Sequence, residues 1–173
     1  MIYFFAACTD IRGFCMDNLD LRILKCLGRN ARLAASAISE EVNLSVSAVI
    51  ERIRKMEACG LIKGYTIQID QEKIGNHIVA IVEISLRHPD YYDGFAEMVR
   101  NCNNIACCYY QTGEFEFALR IEAADNDQLD QVYRMVKSYE GVVKIQTHIA
   151  LKPVKMETVV LPEDVEDSRD NNC

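Results

Sequence analysis

From Ser36 to Lys55 the chain reads Ser-Ala-Ile-Ser-Glu-Glu-Val-Asn-Leu-Ser-Val-Ser-Ala-Val-Ile-Glu-Arg-Ile-Arg-Lys. One short apolar-periodic stretch ends at Asn43 and a second begins behind Ser45. After glycine, asparagine tolerates positive φ best, and a sharp corner between two helices needs one such residue. Ser45 is placed to cap the helix that follows, its hydroxyl accepting from free N–H groups of the first turn. Val46, Val49, Ile53 and Met56 recur at helical spacing and are assigned to the core. Gly60 ends that helix as a C′ glycine. Upstream, Asp17 is a plausible N-cap for a helix over about Leu19–Leu27, with Leu19, Ile23, Leu24 and Leu27 on one stripe and Gly28 as its stop. A middle helix covers about Ala34–Val42, burying Ala35, Ile38 and Val42. Beyond Gly60, a compact turn over Leu61–Tyr65 leads into a short extended segment, Thr66–Ile69. Helix, helix, turn, helix and then a strand-bearing wing is the winged helix-turn-helix plan, here over residues 16–65.

Charge has to be weighed against that plan. The whole chain carries −7, which by itself argues against a polyanionic partner. The distribution reverses this. Residues 16–65 hold eight Lys and Arg against six Asp and Glu, whereas residues 66–173 hold ten against nineteen. A mildly basic head on an acidic body is the pattern of a nucleic-acid-binding domain carried by a separate domain. Eight cysteines, none in a C-x-x-C pair and none beside a histidine cluster, make zinc improbable and suit a reducing cytoplasm. His77, His88 and His148 are scattered without ligand spacing. No apolar run approaches the ~18 residues of a membrane helix. Residues 1–15 show neither a cap nor a periodic element, and Met16 offers a second start, so this stretch is expected to be an extraneous leader.

Residues 66–76 form a linker broken by Gly75 and Asn76. Ile78–Leu86 is apolar on both faces over five residues, so this strand should be covered on both sides. Tyr91, Phe95, Met98, Val99 and Cys102 give a helical stripe. Ile105–Thr112 and the alternating Phe115, Phe117, Leu119 and Ile121 read as strands around a turn at Gly113-Glu114. Leu129, Val132, Tyr133 and Val136 form a second helical stripe, and Val142–Leu151 is a last strand. The order βαββαβ over residues 77–155 is the ferredoxin-like plan, an α+β architecture. Both helices then cover one face of the sheet. The two-sided apolarity at Val79 and Ile81 implies a partner subunit on the other. Residues 156–173 make an acidic tail, with five acidic residues between Pro162 and Asp170.

Leu19-Asp20, Ile23-Leu24, Ala31-Arg32, Leu44-Ser45, Val49, Arg52-Ile53, Glu57, Gly60, Ile62 and Gly64-Tyr65 stand in the order and spacing of one known head domain. Gly75, Thr112-Gly113, Gly141-Val142, Thr147 and Leu151 do the same in the body. Over about residues 17–160 the chain resembles the Lrp/AsnC (leucine-responsive/asparagine regulator, feast/famine) family of transcription factors. Asp17–Asp20, Asn30–Arg32 and Tyr109-Tyr110 look most like the asparagine-responsive members. The resemblance implies a winged helix-turn-helix followed by a RAM/ACT-like domain that binds an amino acid at a subunit junction. It also implies a homodimer that assembles further, for example into an octamer. The family's glycine at the helix corner is Asn43 here, and its aspartate after the Thr-Gly pair is Glu116, one methylene longer, which bears on effector size.

The third helix is expected to present Ser47, Ala48 and Glu51 near base edges, and its cap Ser45 is counted with them as a DNA-binding residue. Arg52, Arg54, Lys55 and, beyond the helix, Lys63 belong with phosphates, where cations supply most of the affinity. Arg52 has a second reading, an ion pair with Glu57 or Glu51 that holds the helix. Glu114 and Glu116 flank a hairpin turn with no His, Lys or metal cluster to complete a mechanism, so no catalysis is expected. The resemblance makes Tyr110, Thr112, Gly113, Glu114 and Glu116 the effector site. A carboxylate such as Glu116 can receive an ammonium, and N–H groups exposed around Gly113 can meet a carboxylate. Two functional classes remain. One is a sequence-specific DNA-binding regulator tuned by an amino acid. The other is an effector-binding module that acts through protein partners and carries a vestigial head.

Overall fold

Asp17 starts the first helix with a reciprocal cap. Its carboxylate accepts from the Asp20 N–H at 2.8 Å, and the Asp20 carboxylate accepts from the Asp17 N–H at 3.1 Å. The computed structural model describes residues 16–157 and 159–163, so the expected leader and most of the expected acidic tail lie outside the described residues. From the Asp17 cap, α1 runs Asn18–Arg29. It passes through Gly28 instead of stopping there, because Asn30 takes the C-cap and donates its N–H to the Cys26 carbonyl. Helix α2 spans Ala35–Val42 and α3 spans Val46–Ala58. Ile23, Cys26, Ile38, Val42, Val49 and Met56 bury their side chains together between the three helices. At about 1.5–3 kcal/mol for each large apolar side chain withdrawn from water, these contacts dominate the head's stability.

The corner between α2 and α3 is set by one residue. Asn43 adopts φ 57° and ψ 49°, the left-handed region, and its N–H closes on the Ser39 carbonyl. Among the described residues it is the sole non-glycine at positive φ. Ser45 then caps α3 as expected, its hydroxyl accepting from the Ala48 N–H at 3.2 Å. At the far end Gly60 sits at φ 80° and α3 closes with its N–H on the Glu57 carbonyl.

Two sequence expectations change here. Val46 was assigned to the core and lies on the solvent side, 42 % exposed. It is the first residue of α3, ahead of the turn that packs on α1 and α2. The expected wing strand is also absent among the described residues: Lys63–Asp70 belong to no helix or ladder. A strand needs a neighbour with which to exchange N–H···O=C bonds, and here the alternating Tyr65, Ile67 and Ile69 stay exposed.

The chain divides into two compact units. One holds the three helices up to Gln68, together with the described residues from Glu157 onward, and the other runs Ile69–Met156. In the second unit β1 (Ile78–Leu86), α4 (Tyr92–Arg100), β2 (Ile105–Tyr110), β3 (Phe117–Ala123), α5 (Asn126–Lys137) and β4 (Val142–Ala150) follow the βαββαβ order. The sheet order is β2-β3-β1-β4, antiparallel throughout, so both crossovers pass over one face. Ala80, Val82, Ile84, Phe95, Phe117, Leu119, Ile121 and Val136 form the core beneath the helices. Strand β2 ends at Tyr110 rather than Thr112, since the next residues leave the ladder to form a loop. A neighbouring lock uses close approach: a side-chain carbon on Gly141 would lie 2.5 Å from the Tyr91 ring, and the Tyr139 hydroxyl donates to the Tyr91 carbonyl at 2.9 Å.

The left-handed corner makes a direct prediction. Asn43→Gly will leave the head's urea unfolding midpoint within experimental error of the parent or slightly above it. Asn43→Val will lower head stability by about 1–2 kcal/mol, the cost of forcing a β-branched residue into this region.

Candidate nucleic-acid interface and effector loop

The face of α3 turned away from the core carries Ser47, Glu51, Arg54 and Lys55, all exposed. Ser47 lies close to the cap, its hydroxyl 3.1 Å from that of Ser45. Lys55 and Glu51 pair at 2.8 Å one turn apart. Such an exposed pair contributes little and exchanges readily for a phosphate. Among the described residues Arg54 and Lys63 have no ion-pair partner. Ala48 is half-buried and contributes less surface than expected. The sequence reading missed Ile50, which is 37 % exposed on this side of the helix. Its signal was present, because Ser47, Ile50, Glu51 and Arg54 share one face at i, i+3, i+4 and i+7 spacing. The Tyr65 hydroxyl donates to Glu57 at 2.7 Å and ties the segment after Gly60 back to α3. Burial first, then the Glu57 carboxylate, pushes the Tyr65 hydroxyl up to about 12, so it stays protonated and keeps donating.

Arg52 is engaged by ion pairs to α1. Its Nη1 donates to Asp17 at 2.8 Å and to Asp20 at 2.7 Å, and the Asp20 carboxylate is 3 % exposed. The alternative reading of Arg52 as a helix-holding residue was correct in kind, but the partners are on α1 rather than Glu51 or Glu57. Sequence spacing within α3 could not reveal them, because they lie 35 and 32 residues away. Burial pushes the Asp17 carboxyl up, yet the Asp20 N–H and the Arg52 guanidinium outweigh that and hold it below its ordinary 3.8. The same two carboxylates outweigh burial at Arg52 and raise it. One guanidinium thus fixes the back of α3 against the cap of α1, and the front is left for contact.

In the second unit the loop between β2 and β3 gathers the expected effector residues. The Gln111 N–H donates to the Glu116 carbonyl at 2.8 Å and closes the loop. Thr112, Gly113 and Glu114 are exposed at its tip. Gly113 has φ 129°, a conformation that side chains rarely adopt, and its α-carbon faces open space. Glu116 points back, and its Oε2 accepts from the Leu86 N–H at the end of β1, at 3.2 Å. Glu114 is paired with Lys144 of β4 at 2.8 Å. The sequence showed no lysine beside this turn; the fold supplies one from β4. Its hydrogen bond and charge hold the exposed Glu114 carboxyl below the usual range. Tyr110 packs its ring on Tyr92 and Phe117 at centroid distances of 5.4 and 5.3 Å while remaining largely exposed. Burial, then Tyr110, then the Glu116 charge raise the Tyr92 hydroxyl, which places the aromatic group and Glu116 in one neighbourhood.

The sheet face opposite the helices carries Val79 and Ile81, both half-buried, with Glu83, His148, Gln146 and Arg120 around them. Gln111 donates to Glu83 at 3.3 Å, His148 stands 3.7 Å from the same carboxylate, and Arg120 pairs with Glu122 at 2.6 Å. Among the described residues no group of His, Cys, Asp and Glu could hold a metal, and no helix is long and apolar enough to cross a membrane.

Two family matches cover these units: winged helix-turn-helix DNA-binding over residues 16–63, and the Lrp/AsnC ligand binding domain over residues 79–160. The HTH-type transcriptional regulator LrpC of Bacillus subtilis is 30 % identical over 80 % of this chain and 94 % of its own length. Among solved structures, a transcriptional regulator of Neisseria meningitidis in complex with L-Met superposes with a TM-score of 0.80 at 28 % identity, covering 84 % of this chain and 96 % of that one. The feast or famine regulatory protein of M. tuberculosis, complexed with L-methionine, gives 0.78 at 25 % identity over 84 % and 99 % of the two chains.

The Arg52 clasp predicts a pH-dependent head. A carboxyl whose folded pKa is depressed adds stability above its unfolded value and loses it as pH falls through the folded one. Head stability measured by circular dichroism will therefore drop as pH falls below about 4, the ordinary aspartate range. Asp17→Asn will lower stability at neutral pH and flatten that acid limb. Arg52→Ala will cost about 3 kcal/mol at neutral pH, because it strands the buried Asp20 charge.

Proposed function

The chain belongs to the Lrp/AsnC family of DNA-binding transcriptional regulators, and from that premise we propose that it grips duplex DNA through α3 as a homodimer, or a larger assembly such as an octamer, under control of an amino acid bound beside the β2–β3 loop. The observation that carries the reading is the division of labour on α3. The arginine facing the core, Arg52, is consumed by Asp17 and Asp20, while Arg54 and, beyond the helix, Lys63 stand exposed with no ion-pair partner among the described residues. Cations spent on folding cannot release counterions from DNA; exposed ones can.

Two heads are needed because one α3 offers few contacts, whereas a dimer reads two half-sites at once. The uncovered sheet face supports such pairing. Val79 and Ile81 are half-buried at its centre and Arg120 is paired with Glu122 beside them, so a second copy would bury apolar area without stranding that arginine.

For the effector, the L-Met complexes of the Neisseria and mycobacterial proteins favour an amino acid. In this chain Tyr110, Thr112, Gly113, Glu114 and Glu116 form the contact region. Glu116 keeps one oxygen beyond its bond to Leu86, and that oxygen can accept an ammonium. Glu114 can do so only by giving up Lys144. Loop N–H groups at the open Gly113 turn would take the carboxylate. Control follows by linkage: the amino acid shifts DNA affinity only as far as it binds one assembly state more tightly than the other.

Fluorescence anisotropy on duplex DNA across a salt series tests the DNA half. Affinity will fall steeply with salt, and Arg54→Ala or Lys63→Ala will each reduce the log–log slope by about 1. DNA retention that ignores both salt and substitution would support the partner-protein alternative instead. Thermal shift against the twenty amino acids tests the other half. At least one will raise the second unit's transition, by about 2.7 kcal/mol at a hundredfold excess over its Kd, and Glu116→Gln will abolish the rise. No shift with any of the twenty removes the effector assignment.

A further inference from the structure

The fold needs neither Val46 nor Ile50. The apolar demand of α3 is met by Val49 and Met56, both fully buried, with Ile53 packed beside them. Val46 and Ile50 are nevertheless held on the solvent side, 42 % and 37 % exposed and one helical turn apart. Ile50 shares its face with Ser47, Glu51 and Arg54. β-Branched residues are mildly unfavourable on an exposed helix surface, so local propensity does not explain them. What they provide is a rigid apolar edge, since such side chains keep one dominant rotamer in a helix.

We infer that Val46 and Ile50 are specificity residues that read the C5-methyl groups of thymine in the major groove. The inference rests on the DNA-binding role proposed above and states what the helix selects. In the major groove thymine alone among the four bases presents a methyl group, and apolar side chains are its complement. The spacing suits that surface. Four residues advance about 6 Å along a helix, against about 3.4 Å per base step, so the pair spans about two steps. Arg54, exposed on the same face and free of ion pairs among the described residues, supplies the cation beside them. Charge therefore favours a polyanion here over an apolar protein partner.

The test uses the full chain and duplexes that it enriches from a randomised library. In the enriched sequence each thymine is replaced in turn by deoxyuridine, which removes the methyl and leaves base pairing and charge unchanged. Wild-type protein will lose roughly four-fold in affinity at one or two thymines in each half-site, the worth of one buried methyl. Ile50→Ala and Val46→Ala will bind the thymine duplex more weakly and will each be blind to the substitution at its own position. Indifference of the wild type to every deoxyuridine overturns the inference without recourse to any variant. So does unchanged methyl sensitivity in both variants, whose folding circular dichroism will verify. Failure to enrich any sequence would instead bring down the DNA-binding role itself.

Discussion

The head depends on one guanidinium. Arg52 joins the turn that begins α1 to the middle of α3, and both of its acceptors also cap α1. Asp17 and Asp20 therefore serve two purposes: they satisfy the free N–H groups at a helix start and they balance a cation that α3 turns inward. Two carboxylates this close would repel each other without that cation. Hydrophobic contacts among Ile23, Ile38, Val42, Val49 and Met56 hold the three helices together, but such contacts are non-directional. The charged clasp adds direction. It fixes which side of α3 faces the core and so which side is left exposed.

The second unit obeys a different constraint. A four-stranded sheet with both crossovers on one side has one face covered by α4 and α5 and one face open. The open face is not a simple apolar surface. Val79 and Ile81 sit within a frame of paired polar groups, Glu83 with His148 and Gln111, and Arg120 with Glu122. A face composed this way remains compatible with water. At the end of the same sheet, the β2–β3 loop takes its shape from bonds that leave its tip free. The Gln111–Glu116 backbone pair closes its base, and Glu116 is tethered to the end of β1. An effector would meet a loop whose base is rigid and whose tip, at Gly113, is open.

Much of this was legible in the sequence for particular reasons. Ser45 and Asp17 announced helix starts because a cap is a local hydrogen bond, and Asn43 announced the corner because few residues accept its backbone angles. The βαββαβ order followed from alternating and helical periodicities. Readings erred where distant parts of the chain decide, beginning with the wing strand, which among the described residues found no neighbour to pair with. Arg52 was grouped with Arg54 and Lys55 because all three are basic and close in sequence, but α1 supplies two carboxylates to one of them alone. Val46 matched the apolar period of α3, yet α1 and α2 pack only against the part of α3 that follows it. Glu114 had no visible cationic neighbour until β4 brought Lys144 to it.

By itself the sequence determined the helix starts behind Asp17 and Ser45, the left-handed corner at Asn43 and the βαββαβ order of the second unit. Those are settled by interactions a few residues long, and they need only caps, turn residues and periodicity. The tertiary structure alone decided which cations are spent on folding and which stay available, and which apolar side chains of α3 are left in water. Both outcomes depend on what approaches each side chain from other elements, 32 and 35 residues away in the case of Arg52. Burial and ion pairing are set by that approach, and no local pattern encodes it.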